Sequence, residues 1–252
     1  MSVLSVDNLV SHPCLKEKLK STYMIGKIYQ DGKYLENNST WHVEDSSWKA
    51  NEIHKILLKN SISPKTICEV GCGAGEILNQ LSQKMPNTNF CGYELSPQAY
   101  KLCQSRVTRK IQYKLANILD EDTFYECLLC IDVFEHVEDY IGFIKSLRSR
   151  SIYKIFHIPI DISVLSVLRG AMMTTRQSAG HLHYFTPETA IATIKDCGYQ
   201  IIDSFFTTAF SDLPNKTINA RMARLPREFL FALSPNLMVK ILGGCSLLVL
   251  AK

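Results

Sequence analysis

Short apolar runs alternate with amphipathic stretches along most of this chain, and that alternation is its main structural signal. Thr66–Val70, Asn89–Tyr93, Ile111–Leu115, Cys127–Ile131 and Ile152–His157 are short apolar runs bounded by turn residues, the pattern of buried strands. Between them, Glu76–Gln83, Pro97–Ser105 and a stretch around Tyr140–Leu147 carry helical periodicity. Upstream, Ser46 or Ser47 caps a predicted helix Trp48–Lys59 with apolar positions at Ile53, Ile56 and Leu57, and Ser63-Pro64 ends it. Downstream, Thr186 and Pro187 open a helix through Lys195, Cys197-Gly198 closes it, and strand Gln200–Thr208 follows. Cys245–Ala251 is a last apolar strand. Strands alternating with helices predict an α/β fold, a doubly wound and mostly parallel sheet with helices on both faces and ligands at the carboxyl ends of the strands.

Three stretches break the pattern. Residues 1–40 are polar with Tyr23, Tyr29 and Tyr34 interleaved, and Lys16–Tyr29 is expected to form one or two short helices. Residues 1–60 then read as an N-terminal helical cap, and 61–252 as the main domain. With Trp41 and Trp48 the tyrosines could form an aromatic lid, or pack as a helical appendage. Residues 159–185 and 211–240 are long for loops of a compact domain, so they are expected to be insertions that shape a substrate pocket. The second contains Pro214, Pro226 and Pro235 and is read as irregular, an acceptor wall or a dimer contact.

The chemistry concentrates at Cys68-Glu69-Val70-Gly71-Cys72-Gly73-Ala74-Gly75. A strand ends in a carboxylate, turns on glycines and enters a helix, so backbone N–H groups face a closely approaching ligand. The spacing is G-x-G-x-G, not the G-x-G-x-x-G of a dinucleotide fingerprint. Glu69 at the strand end would repel a pyrophosphate and attract a cation. S-adenosylmethionine, with an ammonium and a sulfonium beside one carboxylate, suits such an end.

This E-x-G-x-G-x-G segment resembles that of class I S-adenosylmethionine-dependent methyltransferases, over roughly residues 64–208 and the last strand. The resemblance implies a Rossmann-like seven-stranded sheet in the order 3-2-1-4-5-7-6, and donor contacts from Glu69, Gly71, Cys72, Gly73 and Gly75. Glu94, ending the next strand, fits as the acid that accepts both ribose hydroxyls, or stands as a helix N-terminal acid. Asn117 takes the place of an adenine-binding Asp, and Leu95 and Ile118 would sandwich the ring. Asp132-Val133-Phe134-Glu135-His136-Val137 looks like the D-x-x-E-H-[VIL] segment of small-molecule members, including ubiquinone-biosynthesis-type O-methyltransferases. By that match the backbone of Asp132 and Val133 faces the methionyl portion and His136 lies near the reacting methyl. In some relatives this segment holds a divalent metal, and Asp132, Glu135 and His136 would share a face if it turned as a helix; the alternative is an acid-stabilised helix start, and no metal is assigned. Gly180-His181-Leu182-His183-Tyr184-Phe185-Thr186-Pro187-Glu188 resembles a further segment of that branch. If extended, His181 and His183 face one side, as a metal pair, as part of the acceptor pocket, or as loop-ordering groups. His136 and then His183 are the candidate bases. The implied reaction is methyl transfer to a small molecule, most simply O-methylation in biosynthesis. The alternatives are N- or C-methylation, a nicotinamide oxidoreductase on the same architecture, or a non-catalytic methyltransferase-like binding domain.

Bulk properties narrow the setting. The 252 residues are 46% hydrophobic, as in a globular domain, and the net charge is only +4. Arg106, Arg109, Lys110 and Lys114 form a short basic cluster, read as a solvated face rather than a nucleic-acid footprint. Arg169, Arg176, Arg221 and Arg224 could greet an anionic group. No run reaches membrane-spanning length and no secretory signal is seen. Nine cysteines, an odd number, suit free thiols in a reducing, cytoplasmic setting. Cys127 and Cys130, three apart in a strand, point to opposite faces and do not make a zinc pair. The expected state is a monomer or homodimer.

Overall fold

The computed structural model describes residues 40–41, 43–213 and 218–252. The expected helices within 16–29 and the tyrosines at 23, 29 and 34 lie outside the described residues. Helix α1 (Val43–Lys59) leads into β1 (Thr66–Val70), α2 (Glu76–Lys84), β2 (Asn89–Glu94), α3 (Pro97–Cys103), β3 (Ile111–Leu115), β4 (Tyr125–Ile131), α4 (Tyr140–Ser146) and β5 (Ser151–Pro159). Then come α5 (Val164–Leu168), α6 (Ala171–Ser178), α7 (Pro187–Asp196), β6 (Ile201–Thr207), α8 (Ala209–Asp212), α9 (Ile218–Leu233), α10 (Pro235–Ile241) and β7 (Ser246–Ala251).

One seven-stranded sheet has the order β3-β2-β1-β4-β5-β7-β6. β1 pairs in parallel with β2 and β4, as do β2 with β3 and β4 with β5, while β7 is antiparallel to both neighbours. The strand order reverses between β1 and β4, so a crevice opens outside their carboxyl ends. Successive side chains of the central strands bury on opposite faces, because the strand period is two. Cys68, Leu128 and Cys130 join the core of one face, and Ile67, Cys127 and Leu129 that of the other. Cys127 and Cys130 therefore part company as expected, and the thiols of the described residues are free and buried. On the second face α1 lays Ala50, Ile53, Ile56 and Leu57 against Ile77, Leu78 and Leu81 of α2.

The insertion at 159–185 is helical in part, and that at 211–240 is more helical than its prolines suggested. Residues 159–185 hold α5, opened by a Ser163–Ser166 capping box, and α6. In 211–240, Pro235 sits in the first turn of α10, where its missing N–H costs nothing, and Ser234 caps it. Pro226 lies inside α9, whose apolar residues at 222, 225, 229 and 233 recur at helical spacing and face outward. Among the described residues no helix is long and apolar enough to cross a membrane.

Candidate active site

The turn after β1 is built by glycine conformation. Gly71 and Gly73 have φ of 67° and 55°, where side chains are strained. A Cβ on Gly71 would come within 2.9 Å of Val133, and one on Gly73 within 2.7 Å of Trp41. Gly75 plays a different part from the one expected. It does not line the crevice; it starts α2 beneath Tyr113, whose hydroxyl donates to the Gly75 carbonyl at 2.7 Å. A Cβ there would meet the Tyr113 ring at 2.5 Å. Gly75→Ala is expected to lower stability by about 1–3 kcal/mol through overpacking and positive-φ strain, read as a lower urea midpoint, whereas Gly73→Ala, strained in the same way, should lower ligand affinity as well.

Two clefts meet over this turn. One, of about 320 Å³, is lined by Glu69, Gly71, Cys72, Gly73, Lys49, Trp48, His157 and His181 among others. The other, of about 310 Å³, is lined by Glu94, Leu95, Asn117, Ile118 and Val133. Trp41, Gly71, Asp132 and His136 line both, so they mark the junction. In the second cleft Glu94 accepts from the Gly73 N–H through Oε2 and from the Leu95 and Ser96 N–H groups through Oε1, each at 2.8 Å. Burial raises its carboxyl, and these three donors oppose that shift. Ile118 is buried, while Leu95 is 67% exposed on the rim. Asn117 Oδ1 accepts from the Leu119 N–H at 3.1 Å, so one of its two lone pairs already caps a turn.

In the first cleft Glu69 is buried, and its Oε2 has no hydrogen-bond partner among the described residues. Burial pushes its carboxyl well up; Lys49 pulls it back, and Glu94 adds to the rise. Lys49 reaches in from α1 and its Nζ bonds Asp132 Oδ2 at 2.8 Å. Burial works against the Lys49 charge, but Asp132 outweighs it and the ammonium is raised from its usual range. Asp132 Oδ1 also meets His157 Nδ1 at 2.6 Å, and His157 Nε2 lies 2.9 Å from Thr207 Oγ1. Burial would raise the Asp132 carboxyl, yet His157 and Lys49 hold it well below the usual range. Lys49, His157 and Thr207 were missed in the sequence. Lys49 had a signal, since it stands four residues before Ile53 and seven before Ile56, on the buried stripe of its helix.

Asp132 has φ of 53° at the end of β4, and the next turn is a tight three-residue helix, Phe134–His136. Asp132 thus faces Lys49 and His157, and the expected sharing of one face by Asp132, Glu135 and His136 does not occur. The chain instead gathers Glu135, His136 and His181, with one ligand atom of each within 4.8 Å of the others. Glu135 is fully buried with neither side-chain oxygen hydrogen-bonded among the described residues, and burial pushes its carboxyl well up. His136 stacks edge-on to His181 with centroids 4.8 Å apart, and His181 Nδ1 meets Asp161 Oδ2 at 2.7 Å. Burial and then His181 push the His136 imidazole down to about 4. His183 is not in the crevice. Its Nε2 lies 2.9 Å from the Val137 carbonyl and its ring lies on Tyr140, so it orders the loop. The stretch 180–186 is not a strand, and the period-two expectation that put both histidines on one side does not hold; His181 takes the place proposed for His183.

The sheet order, the acid–glycine turn at its switch point and the second acid ending β2 define a class I S-adenosylmethionine-dependent methyltransferase. A family model described as a methyltransferase domain matches residues 46–204. The chain belongs to that family. It is 32% identical over 121 residues to a ubiquinone biosynthesis O-methyltransferase of Rickettsia typhi, a match covering 46% of each chain. It is also 29% identical over 104 residues to a tRNA N(3)-methylcytidine methyltransferase of Schizosaccharomyces pombe, covering 40% of this chain and 42% of that one. The chain thus spans less than half the length of these curated relatives. In fold it resembles the magnesium protoporphyrin IX methyltransferase of Synechocystis, solved with S-adenosylmethionine, at a TM-score of 0.57 and 13% identity over 92% of this chain and 95% of that one. The plantazolicin methyltransferase BpumL gives 0.55 and 14% over 94% and 96%.

Proposed function

We infer that the chain transfers a methyl group from S-adenosylmethionine to an oxygen of a small-molecule acceptor. The observation that carries this is the pair of joined clefts, with Glu69 and its unbonded Oε2 in one and Glu94 in the other. The residues fit the donor. Its amino-acid end is a zwitterion, and the first cleft offers the Lys49 cation beside the Glu69 and Asp132 carboxyls. Its nucleoside end needs an acceptor for two hydroxyls and an apolar slot, which Glu94, Leu95 and Ile118 supply. When bound, S-adenosylmethionine supplies an electrophilic methyl on a sulfonium. The protein's part is to hold the two partners in line and exclude water. Trp41, over Gly73, covers the junction of the clefts. His136 at that junction, held neutral by burial, is the proposed base for an acceptor hydroxyl. The His181–Asp161 pair stands beside it as a second proton acceptor. Those bases, and the O-methyltransferase relative, favour oxygen over nitrogen or carbon.

His136→Ala is expected to lower turnover by about 10²–10⁴-fold, the range of general-base catalysis, with donor affinity nearly unchanged. Unchanged turnover would remove His136 as the base. The sign of its pH effect follows from its lowered value. Between the ordinary 6.5 and about 4 an unfolded chain takes up a proton there that the folded chain does not. Stability should therefore fall as pH drops through that window, less steeply in His136→Ala. Calorimetry with S-adenosylhomocysteine and with a nicotinamide coenzyme tests the cofactor reading, and binding of the latter alone would sink it. Transfer of labelled methyl to a small-molecule panel and to tRNA then separates the acceptor classes suggested by the relatives. Donor binding with no transfer to either would favour a binding domain.

A further inference from the structure

A third chamber, of about 340 Å³, lies beyond the first cleft and shares Pro159, Ala209 and Ser246 with it. The two insertions build it. Leu165 and Met172 come from one, Leu242 follows the other, and Ile160 follows β5; these apolar residues share the wall with Ser163, Ser166, Thr175 and Ser246. Two cations also line it, Arg169 after α5 and Arg227 of α9. Neither is ion-paired among the described residues. Arg227 spends Nε on the Gly243 carbonyl at 3.2 Å and one Nη2 hydrogen on the Leu242 carbonyl at 3.5 Å, which leaves Nη1 open among the described residues. Burial lowers its guanidinium, and Arg169 adds to that.

The nearby acids are otherwise engaged. Asp161 lines the chamber, but its Oδ2 takes the His181 Nδ1 at 2.7 Å. Glu228 pairs with Arg224 Nε at 2.6 Å, and Asp212 Oδ2 takes Trp48 Nε1 at 3.1 Å. Two guanidinium groups facing one chamber, whose Asp161 carboxylate is turned to His181, gain charge-assisted bonds when an anion joins them.

We propose that this chamber is the far end of the acceptor site, and that the methyl acceptor has an apolar body carrying an oxyanion, a carboxylate or a phosphate, which Arg169 and Arg227 bind. The acceptor's hydroxyl then lies back through the shared neck, on the side of His136 and His181. The inference rests on the methyltransferase reading and names its substrate class.

The test is calorimetric titration of the full chain, saturated with S-adenosylhomocysteine, with hydroxyphenyl-alkanoic acids of graded length, their uncharged amides and the matching phosphates. At the fitting length the acid or the phosphate should bind at least about tenfold more tightly than the amide, as expected for charge-assisted pairing. The tighter of the two oxyanions identifies the group. Arg169→Gln should reduce the preference by about tenfold without altering amide or S-adenosylhomocysteine affinity. Arg169 is exposed, and its side chain makes no hydrogen bond among the described residues, so its loss should not disturb folding. Arg227→Gln should do the same, and Arg227→Lys should retain part of the preference. Equal binding of oxyanion and amide at every length, absence of binding by all of them included, overturns the proposal, as does a preference that survives in the Arg169→Gln/Arg227→Gln chain. Failure of S-adenosylhomocysteine to bind is seen before any acceptor is added; it sinks the methyltransferase reading and takes this inference with it.

Discussion

Glu94→Ala should weaken S-adenosylhomocysteine binding by at least about 100-fold in a calorimetric titration. Each hydrogen bond to a charged group contributes about 1.5–3 kcal/mol, and the proposed ribose contact has two. The substitution also strips an acceptor from the Gly73, Leu95 and Ser96 N–H groups, which this carboxylate gathers at one point. The glycine turn and the start of the next helix would then lose their common anchor. Glu94→Gln keeps one acceptor oxygen without the charge and should fall between, at about tenfold. Affinity of the alanine variant within about threefold of wild type would remove the ribose assignment.

Lys49→Met should lower unfolding free energy by about 1 kcal/mol in urea titrations, the low end of the range between an exposed pair and a fully buried one, since the two side chains are 16% and 23% exposed. The low end applies because His157 still holds Asp132 at 2.6 Å. The loss should be seen over a wide pH range. Lys49 is raised from 10.5, so its contribution is present below that value and disappears only as pH climbs through the higher folded one. Asp132 is lowered from 3.8, so its contribution is present above that value and disappears as pH falls toward the lower folded one. Adding Asp132→Asn should recover part of the loss, since it removes the charge left stranded. Stability equal to wild type across neutral pH would show that the pair does not tie helix α1 to the site. Donor affinity should also drop, by about tenfold, through loss of the cation beside Glu69.

The central sheet was legible because buried strands must be short apolar runs and crossovers must carry helices. Thr66–Val70 and Ile111–Leu115 match residue for residue, and the 3-2-1-4-5-7-6 order carried by the resemblance is the one observed. The helices of 211–240 were obscured because prolines were read as breaks; Pro235 in a first turn and the 222–225–229–233 spacing were the opposing signals. The site was half legible. Glu69 and Glu94 announce themselves because acids end apolar strands beside glycines. Lys49, His157 and Thr207 converge from α1, β5 and β6, and no local pattern reports a meeting of elements so far apart in sequence. Choosing between His181 and His183, or knowing which way Asp132 turns, required φ and the path of an irregular segment, neither of which period-two or period-3.6 reasoning can supply. Gly75 shows the converse, a motif position whose task is packing under Tyr113.

The chain has two tryptophans, Trp41 and Trp48, and both border the first cleft. Trp48 touches His157 edge-on with centroids 6.0 Å apart, and Trp41 overlies Gly73. All indole emission from these two residues therefore originates beside the first cleft. Unlabelled protein carries a built-in optical gauge of occupancy, with Trp41→Phe and Trp48→Phe dividing the signal between its two sources.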